Sequence, residues 1–138
     1  MQNSGIEADE VNKPGIVAEV TAVFEHYEQA LLANDVEVLI ELFWDSPLTV
    51  RYGIDEQHVG LPEIAAYRRS QSVASPPRDL RNTVVTTFGD DVATVDTEFV
   101  PHGGGPVGRQ SQTWVRTPQG WRVTSAHVSW CSQHVPDL

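Results

Sequence analysis

The sequence predicts an α+β fold in which about three N-terminal helices cover a curved antiparallel sheet. Helical periodicity fills the first half of the chain, and short alternating segments separated by turn residues fill the second half. Because the helices precede the strands instead of alternating with them, a parallel α/β sheet is disfavoured. A long helix across a bent sheet leaves a concavity, so we expect the fold to enclose a pocket.

The helices are predicted from apolar spacing and from residues that start or stop a helix. The first runs from Pro14 to about Ala33, and proline is well tolerated at its start. Asn34 and Asp35 interrupt it and cap a short second helix, and Pro62 opens a third. The apolar stripe of the first helix contains Ile16, Val17, Val20, Val23, Phe24, Tyr27, Ala30 and Leu31, and its polar face contains Glu19, Glu25, Glu28 and Gln29.

The strands are predicted from alternation and from the turns between them. A short strand at 48–52 is followed by a loop over 53–60 and later by a stiff linker at 75–77. Four strands then follow in a meander, at 83–88, 92–100, 107–116 and 121–130. The segments that join these four are 89–91, the glycine-rich 102–106 and 117–120.

Length and charge limit the classes of protein that this chain can belong to. Its 138 residues suit one domain, here 15–131, with 1–14 as a disordered acidic tail and 132–138 as a C-terminal tail. The net charge of −10 repels nucleic acid and anionic membranes, so neither is expected as a partner. The N-terminal residues lack the pattern of a signal peptide, and we expect a cytoplasmic protein. The lone Cys131 fits a reducing compartment, and its neighbours lack metal-ligand spacing, so no metal site is expected.

Tyr27 and Arg51 are the leading candidates for a functional site. Tyr27 lies on the apolar stripe, either as a core tyrosine whose hydroxyl is satisfied or as a donor aimed into the cavity. Alternation puts Arg51 opposite its strand neighbours, either facing solvent or buried. A buried arginine needs a carboxylate, and a guanidinium buried in an empty pocket is an anion site.

Three further residues are candidate ligands of a bound molecule. Arg68 lies on the third helix, on a solvated face or in the pocket. His127 lies on the last strand, as a structural or a functional histidine. Arg109 faces the pocket if the last hairpin loop has five residues, whereas Gln110 and Gln112 do so if it has four; we favour Arg109. No phosphate-binding loop, dinucleotide fingerprint or nucleophile elbow is present, which favours a pocket without a cofactor.

Four blocks of the sequence resemble the AtzH-like family, within the SnoaL-like and nuclear-transport-factor-2-like superfamily. They are AEVTAVFEHYE at 18–28, ELFW at 41–44, TVRYG at 49–53 and GRQSQTW at 108–114. The resemblance implies a cone-shaped fold. It also implies a place beside amidases in the degradation of cyanuric acid or oxalurate, through hydrolysis of a carboxylated urea with loss of carbon dioxide.

The resemblance implies roles for the candidate residues. Arg51 would hold the carboxylate of a small substrate, and Tyr27 would donate a proton or a hydrogen bond to the nitrogen that carbon dioxide leaves. Arg68, Arg109 and His127 would bind the rest of the ureide. The alternatives are a non-catalytic accessory subunit of an amidase or, more weakly, an isomerase or cyclase. Apolar residues on the outer sheet face would suit a homodimer or higher homo-oligomer.

Overall fold

Three helices and six strands form the part of the chain that the computed structural model describes, residues 5–131. The helices are α1 (Pro14–Ala33), α2 (Val36–Glu41) and α3 (Leu61–Ser70). The strands are β1 (Val50–Tyr52), β2 (Gln57–Val59), β3 (Arg78–Phe88), β4 (Val92–Pro101), β5 (Gly108–Thr117) and β6 (Gly120–Trp130). The predicted C-terminal tail, 132–138, lies outside the described residues. No helix within 5–131 is long and apolar enough to cross a membrane.

The strands form one curled sheet in the order β2-β1-β6-β5-β4-β3. β3 to β6 make the predicted antiparallel meander, whereas β1 pairs in parallel with β6 and antiparallel with β2. The predicted α+β fold with a cone-like sheet is confirmed. The parallel pair and β2 were not predicted, because a three-residue strand is too short to show alternation.

The N-terminal segment at 8–12 is ordered, although its composition predicts a disordered tail. Ala8–Glu10 forms a 3₁₀ turn, and Val11 makes an antiparallel bridge with Phe88 of β3. The Asn12 backbone N–H donates to the carbonyl of Thr87, and the Asn12 side-chain oxygen accepts from the amide of Thr87 at 2.8 Å. These bonds are made by backbone and amide groups, so an apolar pattern is not needed to order the segment.

The hydrophobic core lies between α1 and the inner face of the sheet. The predicted stripe of α1 forms one wall, and Asp35 caps α2 by accepting a hydrogen bond from the amide of Val38. The most deeply buried core side chains include Val20, Leu39, Phe43, Ile64, Val95, Trp114 and Val123. Tyr27 and the inward-facing residues of β1 and β5 therefore border an apolar interior.

The alternation of β5 and a register shift in β6 decide which polar residues of the last hairpin reach this interior. Trp114 pairs with Val123, but Thr113 pairs with Ser125, so one extra residue lies in β6. A bulge of this kind reverses the alternation beyond it. Within β5 the alternation is unbroken, and Gln110 and Gln112 share the buried face of Trp114, so they point inward and Arg109 is exposed, contrary to the preference for Arg109. In β6 the bulge turns His127 to the outer face.

The close contact between Gly108 of β5 and Phe99 of β4 provides a test of how these two strands pack. Gly108 pairs with Phe99, whose ring occupies the place where a Cβ would be, whereas a Cβ at Gly103 would meet open space. We expect Gly108→Ala to lower the free energy of unfolding by roughly 1–3 kcal/mol through overpacking. Gly103→Ala is the matched control and should be nearly neutral. Urea denaturation measures both, and equal effects would contradict the packing described.

Candidate functional site

Tyr27 of α1 and Arg68 of α3 meet inside the fold. Arg68 Nη2 donates a hydrogen bond to the Tyr27 hydroxyl at 3.0 Å, and the two residues are only 6% and 4% exposed. The Tyr27 ring is held edge-on against Phe43 and Trp114, with centroids 6.2 Å away in both cases. Because a guanidinium only donates, Tyr27 is the acceptor here and keeps its own proton for donation.

The positive charge of Arg68 has no counterion among residues 5–131. No carboxylate of the described chain lies within ion-pair distance of it, and its Nε has no hydrogen-bond partner. Its place in the last turn of α3 offsets the charge in part, through the partial negative charge of a helix C-terminus. A buried cation that lacks a counterion is strongly favoured to bind an anion.

A cavity of about 270 Å³ adjoins Arg68. This volume is at the small end of the range for ligand pockets, which fits a molecule of few atoms. Its lining consists of Leu31, Asn34, Tyr67, Arg68, Gln71, Val73, Ala74, Ser75 and Pro76. The third helix and the linker after it thus enclose a space beside the unpaired charge.

Arg51 is also buried, but its charge is already paired. Its Nη1 lies 3.0 Å from Glu56 Oε1 and 3.5 Å from His58 Nδ1. Its guanidinium stacks on Tyr67, 4.5 Å from the ring centroid, and Arg68 lies 5.7 Å from the same centroid. We call Tyr27, Arg51, Tyr67 and Arg68 the tyrosine–arginine cluster.

The cluster brings together three of the five predicted site residues, but it does not form the single pocket that was expected. Tyr27 and Arg51 are linked through Arg68 and Tyr67, and neither lines any of the five cavities described for residues 5–131. Tyr67 was missed as a site residue. An aromatic residue next to an arginine on one helix is the signal that could have identified it.

Burial and contacts with Arg51 shift the pKa values of His58 and Glu56, the two groups that contact this arginine. Burial, followed by the nearby positive charge of Arg51, lowers the pKa of His58. Neutral His58 can then accept the hydrogen bond from Arg51 at Nδ1. Burial alone would raise the pKa of Glu56, but hydrogen bonds from Arg51 and from the Asp55 amide outweigh it and lower that pKa. Glu56 is therefore a carboxylate at neutral pH.

A second buried ion pair lies beside the cluster and was not predicted. Glu28, assigned from the sequence to the polar face of α1, is buried and accepts two hydrogen bonds from Arg78, at 2.8 and 2.7 Å. Arg78 also donates to Gln110 Oε1 at 3.2 Å and lies over the Phe99 ring. Glu28 and Arg78 lie fifty residues apart along the chain, so sequence spacing does not reveal that they form an ion pair.

Arg109 and His127, the other two predicted site residues, lie outside the cluster. Arg109 is exposed and its Nη2 is 3.2 Å from the sulfur of Cys131. His127 is exposed and packs edge-on against Tyr52, with centroids 5.7 Å apart. Arg109 faces away from the buried polar groups because it alternates with the buried Gln110 along β5, and His127 does so because of the bulge in β6.

Comparison with known proteins identifies the family. The AtzH-like family model matches residues 9–134. The chain belongs to the AtzH-like family. A protein of unknown function from Pectobacterium atrosepticum is 51% identical, with a TM-score of 0.90, over 93% of this chain and 100% of that chain. A cystatin-like fold protein from Burkholderia xenovorans is 48% identical, with a TM-score of 0.86, over 94% of this chain and 100% of that chain.

More distant structures share the fold of this AtzH-like protein. A nuclear transport factor 2-like superfamily protein from Salmonella enterica has a TM-score of 0.68 at 21% identity, over 88% of this chain and 94% of that chain. At this identity the likeness shows the fold alone. No curated protein matches the chain.

The different pairing of Arg68 and Arg78 gives opposite expectations for their replacement by methionine. Arg68→Met removes a buried charge without a counterion, so the free energy of unfolding should stay unchanged or rise. Arg78→Met leaves Glu28 buried and unpaired, which should lower the free energy of unfolding by roughly 3–5 kcal/mol. Chemical denaturation at neutral pH compares the two. If Arg68→Met lowers the free energy of unfolding by as much as Arg78→Met does, Arg68 stabilises the fold and this prediction is contradicted.

His58 should make stability depend on pH. Its pKa in the folded chain lies below the unfolded value of about 6.5. The unfolded chain therefore binds more protons between these two values, so stability rises with pH through that window and is lost as pH falls through the folded pKa. Denaturation at several pH values should show this slope, and His58→Gln should flatten it. An NMR titration of His58 at or above its ordinary pKa would contradict the prediction.

Proposed function

We propose that this protein is an enzyme that hydrolyses a small carboxylated urea or related ureide, with loss of carbon dioxide and without a cofactor. The observation that carries the proposal is the buried guanidinium of Arg68, which has no counterion among the described residues and donates to the Tyr27 hydroxyl. Membership of the AtzH-like family supports the same substrate class. A carboxylate is the ligand that such a charge favours.

In this proposal Arg68 holds the substrate carboxylate. The family resemblance assigns that role to Arg51, but Arg51 already pairs with Glu56, whereas Arg68 keeps an Nε without a partner. Charge-assisted hydrogen bonds to a carboxylate are roughly twice as strong as neutral ones, and they are stronger still in a dry interior. Arg68 would also fix the substrate relative to Tyr27, because the two side chains are bonded to each other.

Tyr27 supplies the proton in the proposed reaction. As the bond between nitrogen and the carboxylate carbon breaks, carbon dioxide leaves and the Tyr27 hydroxyl protonates the nitrogen. Arg68, 3.0 Å from that hydroxyl, stabilises the phenolate that forms. Water then returns a proton to Tyr27, and its hydroxide combines with carbon dioxide as bicarbonate. The net reaction consumes one water for each carboxylate removed.

Activity on N-carboxylated ureas tests this assignment. Release of carbon dioxide or bicarbonate by the purified protein should depend on both groups, with Tyr27→Phe and Arg68→Met each lowering kcat at least about 100-fold. Tyr52→Phe is the matched control, because Tyr52 is exposed on the outer face, and it should keep the wild-type rate.

Two outcomes would contradict the proposal. Wild-type rates in Tyr27→Phe and Arg68→Met would remove these residues from the chemistry. Carboxylate binding that depends on Arg68 but occurs without turnover, together with co-purification of an amidase, would instead make the protein a ligand-binding accessory subunit.

A further inference from the structure

The loop between β1 and β2 places a carboxylate over Arg51. Glu56 is in this loop, and its Oε1 lies 3.0 Å from Arg51 Nη1. The Arg51 side chain is 10% exposed and that of Glu56 is 31% exposed, so Glu56 is the member of the pair that is more accessible to solvent. The cavity beside this loop is lined by Glu56 and not by Arg51, so a molecule in that cavity contacts Glu56 before it contacts Arg51.

The backbone of the loop is shaped to hold Glu56 in this position. The Gly53 amide donates to the Glu56 carbonyl at 2.8 Å, and the Asp55 amide donates to Glu56 Oε2 at 3.2 Å. A Cβ at Gly53 would collide with the Glu56 carboxylate and lie 3.0 Å from Arg51 Nη1. The absence of a side chain at Gly53 is therefore what leaves room for the ion pair.

The same loop is bordered by open space. A cavity of about 380 Å³ is lined by its residues together with Tyr52, Gln57 and His127. Ile54, which lines this cavity, also lines a cleft of about 490 Å³ and is itself 39% exposed. Since Ile54 and Asp55 are exposed, Glu56 can turn away from Arg51 without unpacking the core.

We propose that Glu56 is an internal carboxylate that occupies Arg51, and that the carboxylate of a ligand binds Arg51 by displacing it. Glu56 then determines specificity, because a neutral molecule cannot replace it on the guanidinium. Glu56 also weakens binding, since only the fraction of molecules with an open loop accepts the ligand at Arg51. The inference rests on the proposed function in taking the ligand to be a carboxylate, but it concerns a different arginine.

The charges around Arg51 are consistent with such an exchange. Neutral His58 accepts from Arg51 and does not compete as an anion. Glu63, the other carboxylate near His58, accepts a hydrogen bond from the amide of Val59 at 3.0 Å. Glu56 is therefore the anion that a ligand has to displace from Arg51.

Titration with a charged and a neutral probe tests the exchange. Oxamate carries one carboxylate, and oxamide is its neutral counterpart; both can be titrated into the ¹⁵N-labelled full chain and followed by NMR. We expect Glu56→Gln to lower the Kd for oxamate by roughly tenfold and to leave oxamide binding unchanged. Asp55→Asn is the matched control, since it removes the same charge from the adjacent residue, and it should leave both affinities unchanged.

The results separate this inference from the proposed function. An unchanged oxamate Kd in Glu56→Gln, or an equal shift in Asp55→Asn, would overturn the exchange even if Arg68→Met abolishes turnover. Tighter oxamate binding in Glu56→Gln would support it even if the Tyr27 and Arg68 variants keep full activity. If Glu56→Gln does not fold, Glu56→Asp retracts the carboxylate while keeping its charge and should also bind oxamate more tightly than wild type does.

Discussion

The burial of guanidinium groups is the constraint around which this interior is organised. A charged group that leaves water has to be paired and hydrogen-bonded, or its burial is strongly unfavourable. Arg78 meets this requirement with a bidentate bond to Glu28, and Arg51 meets it with Glu56. Arg68 meets it only in part, through Tyr27 and the end of its helix. The unequal pairing of three arginines sets Arg68, which has no counterion among residues 5–131, apart from Arg78 and Arg51.

The interior and the surface of this protein carry charges of opposite sign. Its net charge is −10, yet within residues 5–131 the tyrosine–arginine cluster and its partners leave one positive charge without a counterion. Surface charges are screened within about 8 Å at physiological salt, so an anion close to Arg68 responds mainly to that arginine. The acidic surface thus affects the approach of an anionic ligand more than its binding.

Local signals in the sequence predicted the helices well and the site only in part. Pro14 and the apolar stripe defined α1, and the stripe placed Tyr27 in the interior. The inward-facing residues of β5 could not be predicted, because the length of the last hairpin loop decides between Arg109 and Gln110, and both alternations are chemically reasonable. The ion pair of Glu28 and Arg78 was also out of reach, since it depends on how α1 crosses a strand fifty residues away.

The pairing of residues 8–12 with β3 has a consequence for how molecules of this protein meet each other. An outer strand with free N–H and C=O groups is a template on which another chain can add a strand. At the end of β3 near Phe88 this template is occupied, because the Asn12 amide donates to the Thr87 carbonyl and the Gly89 amide donates to the Glu10 carbonyl. Further along β3, Asn82 has left-handed backbone geometry at a register shift, which disrupts the ladder. Residues 8–12 and this irregularity together protect the β3 edge of the sheet from unwanted edge-to-edge association.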